Sequence, residues 1–197
     1  MKHALRTVIS AIAIALFAHA ALGADPENGR KLAYACMGCH GIEYYKNAYP
    51  KYSVPKLGGQ SAEYLVAALA EYDSKARWHP TMQGYAASLT AEDRADLAAW
   101  FRSLPKHKSG MAPVGQAPAT AEACTACHGN DGHGTMGENP TLAGQHADYL
   151  AQALNDYRLG KRKNPIMAAF AQQLTRDEIR ALAEYFSKQP GLTTPEH

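Results

Sequence analysis

Five residues, Cys36-Met37-Gly38-Cys39-His40, have the spacing C-x-x-C-H, and the pattern returns as Cys124-Thr125-Ala126-Cys127-His128. That spacing is the attachment signature of a c-type haem. Two thiols reach the two vinyl groups of one porphyrin as thioethers, and the adjacent histidine lies under the iron as its proximal ligand. Cys36, Cys39, Cys124 and Cys127 are all the cysteines in the chain, so none is left for a disulfide. A zinc site would need further Cys or His ligands at paired spacing. A thioredoxin-like C-x-x-C would need a βαβ context, and the flanking residues show no strand pattern. The implied cofactors are two covalently bound haem c groups, with His40 and His128 as iron ligands.

Closing each iron with a sixth ligand makes an electron carrier, and methionine, the usual choice, raises the potential. Met82 and Met167 are the candidates, each two residues after a proline, in Pro80-Thr81-Met82 and Pro165-Ile166-Met167. The alternative for either is a core methionine filling a gap. His79 competes in the first half, but Asn164 replaces it in the second; Met136 is a weaker competitor there. Met37 lies inside the first pentapeptide and Met111 in a linker, so neither is favoured. The outer N–H of each ligand histidine needs an acceptor, for which the carbonyls of Pro55 and Pro140 are suitably placed. Arg77 and Arg162 lie near the ligand loops, either to pair with haem propionates or as solvated surface charges.

These residues recur because the chain is duplicated. Pro55 to Pro105 aligns without gaps on Pro140 to Pro190 at an offset of about 85 residues, with about 20 identities in about 51 positions. Two copies of this size mean two similar domains rather than a solenoid. In the first, Asp25-Pro26 opens a helix that runs into Cys36. Ser61 caps a helix carrying Leu65, Leu69 and Tyr72, and Trp78 to Met82 reads as irregular. Thr90 caps the last helix with Asp93 in a capping-box position, and Leu97, Trp100, Phe101 and Leu104 form its inner face. The second copy has a middle helix over roughly His146 to Leu159. Its last helix is capped by Thr175 and Glu178. Its segment before Cys124 is short and contains Pro118, so the opening helix is expected to be about two turns long. The loop after His40 is about three residues longer than its counterpart and contains Tyr44, Tyr45, Tyr49 and Tyr52 with Lys46 and Lys51. Its candidate roles are to shield a haem edge, to dock a partner, or simply to pack on the surface. The fold class expected is all-α: two small helical domains, each with a core completed by one covalent haem.

The chain has 197 residues with 20 Lys and Arg against 18 Asp and Glu. Lys2 and Arg6, an apolar run from Thr7 to Phe17 and small residues after it read as a secretory signal peptide cleaved after Ala24. The expected division is signal peptide 1–24, first domain 25–105, linker 106–118 and second domain 119–197. Export fits the motif, because haem is attached to c-type apoproteins outside the cytoplasm; the expected location is the periplasm. Without Lys2 and Arg6 the formal charge falls from +2 to about 0. Nothing in that balance suggests a nucleic-acid binder, which would show a basic face, and no later stretch is apolar enough to span a bilayer.

With the paired C-x-x-C-H motifs, Leu57-Gly58-Gly59-Gln60, Leu142-Ala143-Gly144-Gln145 and the spaced Met82 and Met167, the chain resembles the cytochrome c4 family. The run Leu142 to Leu150 is especially similar to that family's second domain. The resemblance covers nearly all of the chain after the signal peptide. It implies two class I cytochrome c domains, His and Met ligands on each haem, and electron transfer from quinol-oxidising complexes to terminal oxidases or reductases. The expected partners are redox proteins, a donor and an acceptor, including peripheral docking to membrane complexes. No substrate-processing acid, base or nucleophile stands out, so the chain reads as a carrier rather than an enzyme. One competing reading is an electron-accepting subunit of a periplasmic dehydrogenase such as a flavoprotein. The other is a dihaem peroxidase or gas sensor, which needs an iron with an open site.

Overall fold

The computed structural model describes residues 23–49, 51–107 and 110–196. The expected signal peptide therefore lies, apart from Gly23 and Ala24, outside the described residues. Nine α-helices and one short 3-10 turn account for the regular structure among the described residues. The first domain holds α1 (Pro26–Leu32), α2 (Tyr34–His40), α3 (Ala62–Asp73), α4 (Pro80–Ala86) and α5 (Ala91–Ser103). The second holds α6 (Glu122–His128), α7 (Ala147–Arg158), α8 (Pro165–Gln173) and α9 (Arg176–Ser187).

The helix starts follow from local chemistry. The Asp25 carboxylate accepts from the backbone N–H groups of Glu27 and Asn28, with Pro26 at the first helical position. Ser61 caps α3. Thr90 with Asp93, and Thr175 with Glu178, form complete capping boxes on α5 and α9. Two expectations need correction. The opening helix does not run unbroken into Cys36: it turns at Ala33, which closes α1 and opens α2. The stretch after His79 is helical, because His79 caps it and Pro80 fits the first turn. The second domain opens as expected on a helix of about two turns, α6, with no counterpart of α1. A single tight turn, Ala119–Ala121, precedes α6, and the amide side chain of the buried Gln189 holds both backbone groups of Val114.

In the first domain α1 crosses α5 so closely that a Cβ on Gly29 would overlap the backbone carbonyl of Asp96. Behind this crossing Ala33, Met37, Leu65, Leu97, Ala98 and Phe101 make the core. Met37 is thus a core side chain. The second core is built from Ala121, Leu150, Leu182, Ala183, Tyr185 and Phe186.

The domains meet about a local two-fold axis relating residues about 85 apart. Gln60 donates to the Thr141 carbonyl at 3.0 Å and accepts from the Thr141 N–H at 2.9 Å. Gln145 does the same to Lys56, at 3.0 Å for both bonds. These glutamines are the last residues of the matching Leu-x-Gly-Gln segments, and each reads the other domain's backbone. The preceding glycines, Gly59 and Gly144, have φ of +77° and +73°, a left-handed conformation that costs a side-chain-bearing residue free energy. On the axis, Trp78 N–H donates to the Lys161 carbonyl and Lys163 N–H to the Ala76 carbonyl, both at 2.9 Å. This pairs the backbones of Arg77 and Arg162 antiparallel.

Gly29→Ala forces α1 away from α5 and is expected to destabilise the first domain by about 1–3 kcal/mol. Urea unfolding of the haem-loaded protein, followed through Trp100 fluorescence, measures it; an unchanged midpoint would mean that the crossing yields without cost.

Candidate haem sites

Both C-x-x-C-H motifs lie on short helices that end in the histidine. Cys36, Cys39 and His40 are on α2, and Cys124, Cys127 and His128 on α6. All four thiols are free and half-buried. Burial, reinforced at Cys36 by Cys39, pushes the Cys36 thiol up; burial does the same at Cys124. Both histidines are buried. The His40 Nδ1 lies 2.8 Å from the Pro55 carbonyl, and the His128 Nδ1 lies 3.1 Å from the Pro140 carbonyl. Each carbonyl can only accept, so each ring carries its proton on Nδ1 and leaves Nε2 as the basic nitrogen. Burial lowers both histidine pKa values, opposed by these carbonyls. The neutral form that ligates iron is the form favoured.

Met82 and Met167 occupy equivalent positions, each in the first turn of its helix and partly buried. The His79 Nδ1 accepts from the Met82 N–H at 3.2 Å, and the Asn164 Oδ1 accepts from the Met167 N–H at 3.0 Å. His79 and Asn164 are therefore the same structural device, a helix cap placed three residues before the methionine. His79's other nitrogen, Nε2, faces the Asn47 Oδ1 at 3.3 Å, so both ring nitrogens are engaged. Met136 is 61% exposed in a turn.

Arg77 and Arg162 are 3% and 6% exposed, not solvated surface charges. Each guanidinium lies over two tyrosine rings, Tyr64 and Tyr72 for Arg77 and Tyr149 and Tyr157 for Arg162, at 5.1–5.6 Å. Arg77 donates to the Tyr64 hydroxyl and pairs with Glu71 at 2.8 Å. Arg162 donates to the Tyr149 hydroxyl at 2.9 Å. The Nε of each is buried without a hydrogen-bond partner. A buried, unpaired guanidinium donor calls for an anionic acceptor. The carboxylates of a haem held by the half-buried thiols and by an imidazole with Nε2 unprotonated would meet that demand. The residues present fit the group.

The sequence comparisons agree with this geometry. The pattern describing the family "Cytochrome c" matches residues 26–105 and again 114–189. Cytochrome c4 of Pseudomonas aeruginosa is 34% identical over 202 residues, covering 94% of this chain and 98% of that one. A thiosulfate dehydrogenase electron acceptor of Stutzerimonas stutzeri is 34% identical over 184 residues, covering 84% of this chain and 81% of the relative. The crystal structure of reduced recombinant cytochrome c4 from Pseudomonas stutzeri superposes with a TM-score of 0.66 at 30% identity, over 84% of this chain and 98% of that one. Fold and sites together define a tandem c-type cytochrome with two covalent haem c groups, an electron carrier rather than an enzyme. Within that class the chain belongs to the cytochrome c4 family.

Sequence reasoning missed Gln60 and Gln145 as interface residues, although their repetition in matching motifs was visible. It also gave His79 no structural role, although its equivalence to Asn164 pointed to a cap.

Replacing Cys124 and Cys127 together by alanine is expected to halve the covalently bound haem per chain. Haem quantitation against protein mass checks this; two covalent haems in the variant would contradict the assignment.

Proposed function

We propose that the chain is a periplasmic dihaem carrier passing electrons from a quinol-oxidising complex to a terminal oxidase or reductase. In this reading residues 1–24 are removed on export, and residues 106–118 join the domains 25–105 and 119–197. Cys36 and Cys39 hold one haem as thioethers, and Cys124 and Cys127 the other. His40 with Met82, and His128 with Met167, are the axial pairs. The observation that carries the reading is the two-fold repetition of the whole arrangement. Each half has the same capped methionine, the same histidine bonded to a proline carbonyl and the same buried arginine.

The bound haems supply a reversible one-electron iron couple. Pro55 and Pro140 hold the histidine rings in one tautomer and orientation. His79 and Asn164 fix the helices that present the methionines. Arg77 and Arg162 place positive charge where carboxylates of the cofactor are to be neutralised. Among the described residues no helix is long and apolar enough to cross a membrane, which is compatible with a carrier that docks peripherally.

A second reading is favoured by the similarity to a thiosulfate dehydrogenase electron acceptor: the chain accepts electrons from a thiosulfate-oxidising partner. Two mixing experiments with the holoprotein decide between them. Fast reduction by quinol-oxidising membranes supports the first reading, and fast reduction by a thiosulfate dehydrogenase with thiosulfate supports the second. Reduction by neither would contradict both.

Met82→Ala and Met167→Ala are each expected to lower the potential of one haem and leave the other near its original value, because a thioether ligand raises the potential. A spectroelectrochemical titration reads both couples; two unchanged potentials in either variant would remove that methionine from the coordination sphere.

A further inference from the structure

The loop that follows His40 does not obey the two-fold symmetry of the interface. Its two arms, residues 44–47 and 52–54, are closed on themselves. Asn47 N–H donates to the Tyr52 carbonyl and Val54 N–H to the Tyr45 carbonyl, both at 2.9 Å. The arms then grip the second domain at one oxygen. The Lys46 Nζ donates to the Asp148 Oδ2 at 3.1 Å, and that oxygen also accepts from the Ser53 N–H at 3.1 Å and its hydroxyl at 2.9 Å. Tyr44, held at a φ of +60°, sets its ring 6.5 Å from that of His146, and Tyr52 sets its ring 6.3 Å from that of Tyr149. A bulky residue at positive φ is a conformation that the surroundings must enforce.

The other side of the same loop reaches the Met82 helix. The Asn47 side chain, which also donates to the Tyr52 carbonyl at 3.3 Å, offers its Oδ1 to the His79 Nε2. His79 in turn accepts from the Met82 N–H. Asp148, the loop, His79 and Met82 form one continuous chain of contacts running from the second domain into the first haem site. On the second side, Asn164 caps Met167 in the same way, and among the described residues no loop side chain braces it as Asn47 braces His79.

We infer that Asp148 is a positioning residue acting across the domain interface: by anchoring the loop it sets the cap, and with it the placement, of Met82 but not of Met167. The tyrosine-rich loop is therefore a one-sided link, built at the first site and not at the second, that couples the docking of the second domain to the first site. This rests on the proposed ligand role of Met82 only where it touches the iron; the mechanical link stands on the protein's own bonds.

The test uses the haem-loaded protein with Asp148→Ala, and independently the double variant Lys46→Ala/Ser53→Ala, which removes two of the three hydrogen bonds to Asp148 from the loop side and leaves α7 intact. Amide hydrogen exchange is followed at Asn47, Val54, Met82 and Met167. Both variants are expected to speed exchange at Asn47, Val54 and Met82 by about tenfold, the scale of losing charge-assisted hydrogen bonds, and to leave Met167 unchanged. No acceleration at Met82, or equal acceleration at Met82 and Met167, would overturn the inference. The potential of each haem is read in the same samples. A selective shift of the first haem alongside faster Met82 exchange supports the link and the ligand assignment together. Faster Met82 exchange with both potentials fixed supports the link and removes Met82 as ligand.

Discussion

Two guanidinium groups buried at a two-fold axis are the constraint around which the rest of the molecule is arranged. Taking a charge out of water is costly unless it is paired and fully hydrogen-bonded. Here Arg77 and Arg162 sit on paired backbone segments, one from each domain. The protein meets part of the cost with four tyrosine rings and the carboxylates at equivalent positions, Glu71 and Asp156. That compensation is incomplete: burial pushes the Asp156 carboxyl up, against the pull of Gln152 and the nearby cations, and both Nε donors stay unpaired. Haem carboxylates would complete the balance. On this account cofactor loading and domain docking reinforce one another, because each supplies what the other leaves unsatisfied.

The same interface explains how two nearly identical sites come to differ. The reciprocal bonds of Gln60 and Gln145 and the backbone pairing around Arg77 and Arg162 are symmetric, and alone would give two equivalent haem environments. Asymmetry enters through added or missing pieces. The first domain has α1 packed through Gly29 and a longer loop fastened to Asp148. The second has neither, and instead grips the segment at Val114 through Gln189. A dihaem carrier gains direction when its two centres are unequal, and these are the structural differences between the halves on which such an inequality would rest.

The sequence made the chemistry legible and the tertiary use of its residues less so. The C-x-x-C-H pairs, the duplication and the boxes at Thr90 and Thr175 depend on residues a few positions apart, so spacing reveals them. Helix α4 was also within reach, since Pro80 preceded by a capping side chain is a start signal, but the short run carries little periodicity. Gln60 and Gln145 bond to backbone more than 80 residues away, and nothing local marks that destination. The burial of Arg77 and Arg162 likewise depends on tyrosines from two separate helices, α3 and α7, and on the facing domain. The loop with Tyr44 and Tyr52 read as a docking or shielding element because its composition suits both; its attachment to Asp148 is a matter of domain placement.

With His40 and Met82 on one iron and His128 and Met167 on the other, as proposed, both irons are closed by protein ligands. Adding carbon monoxide to the fully reduced dihaem protein, with the absorption of both haems followed, tests it most directly. Closed His–Met sites predict that neither haem binds carbon monoxide on the timescale of mixing. Rapid binding at one haem would show an open coordination position there and contradict the account.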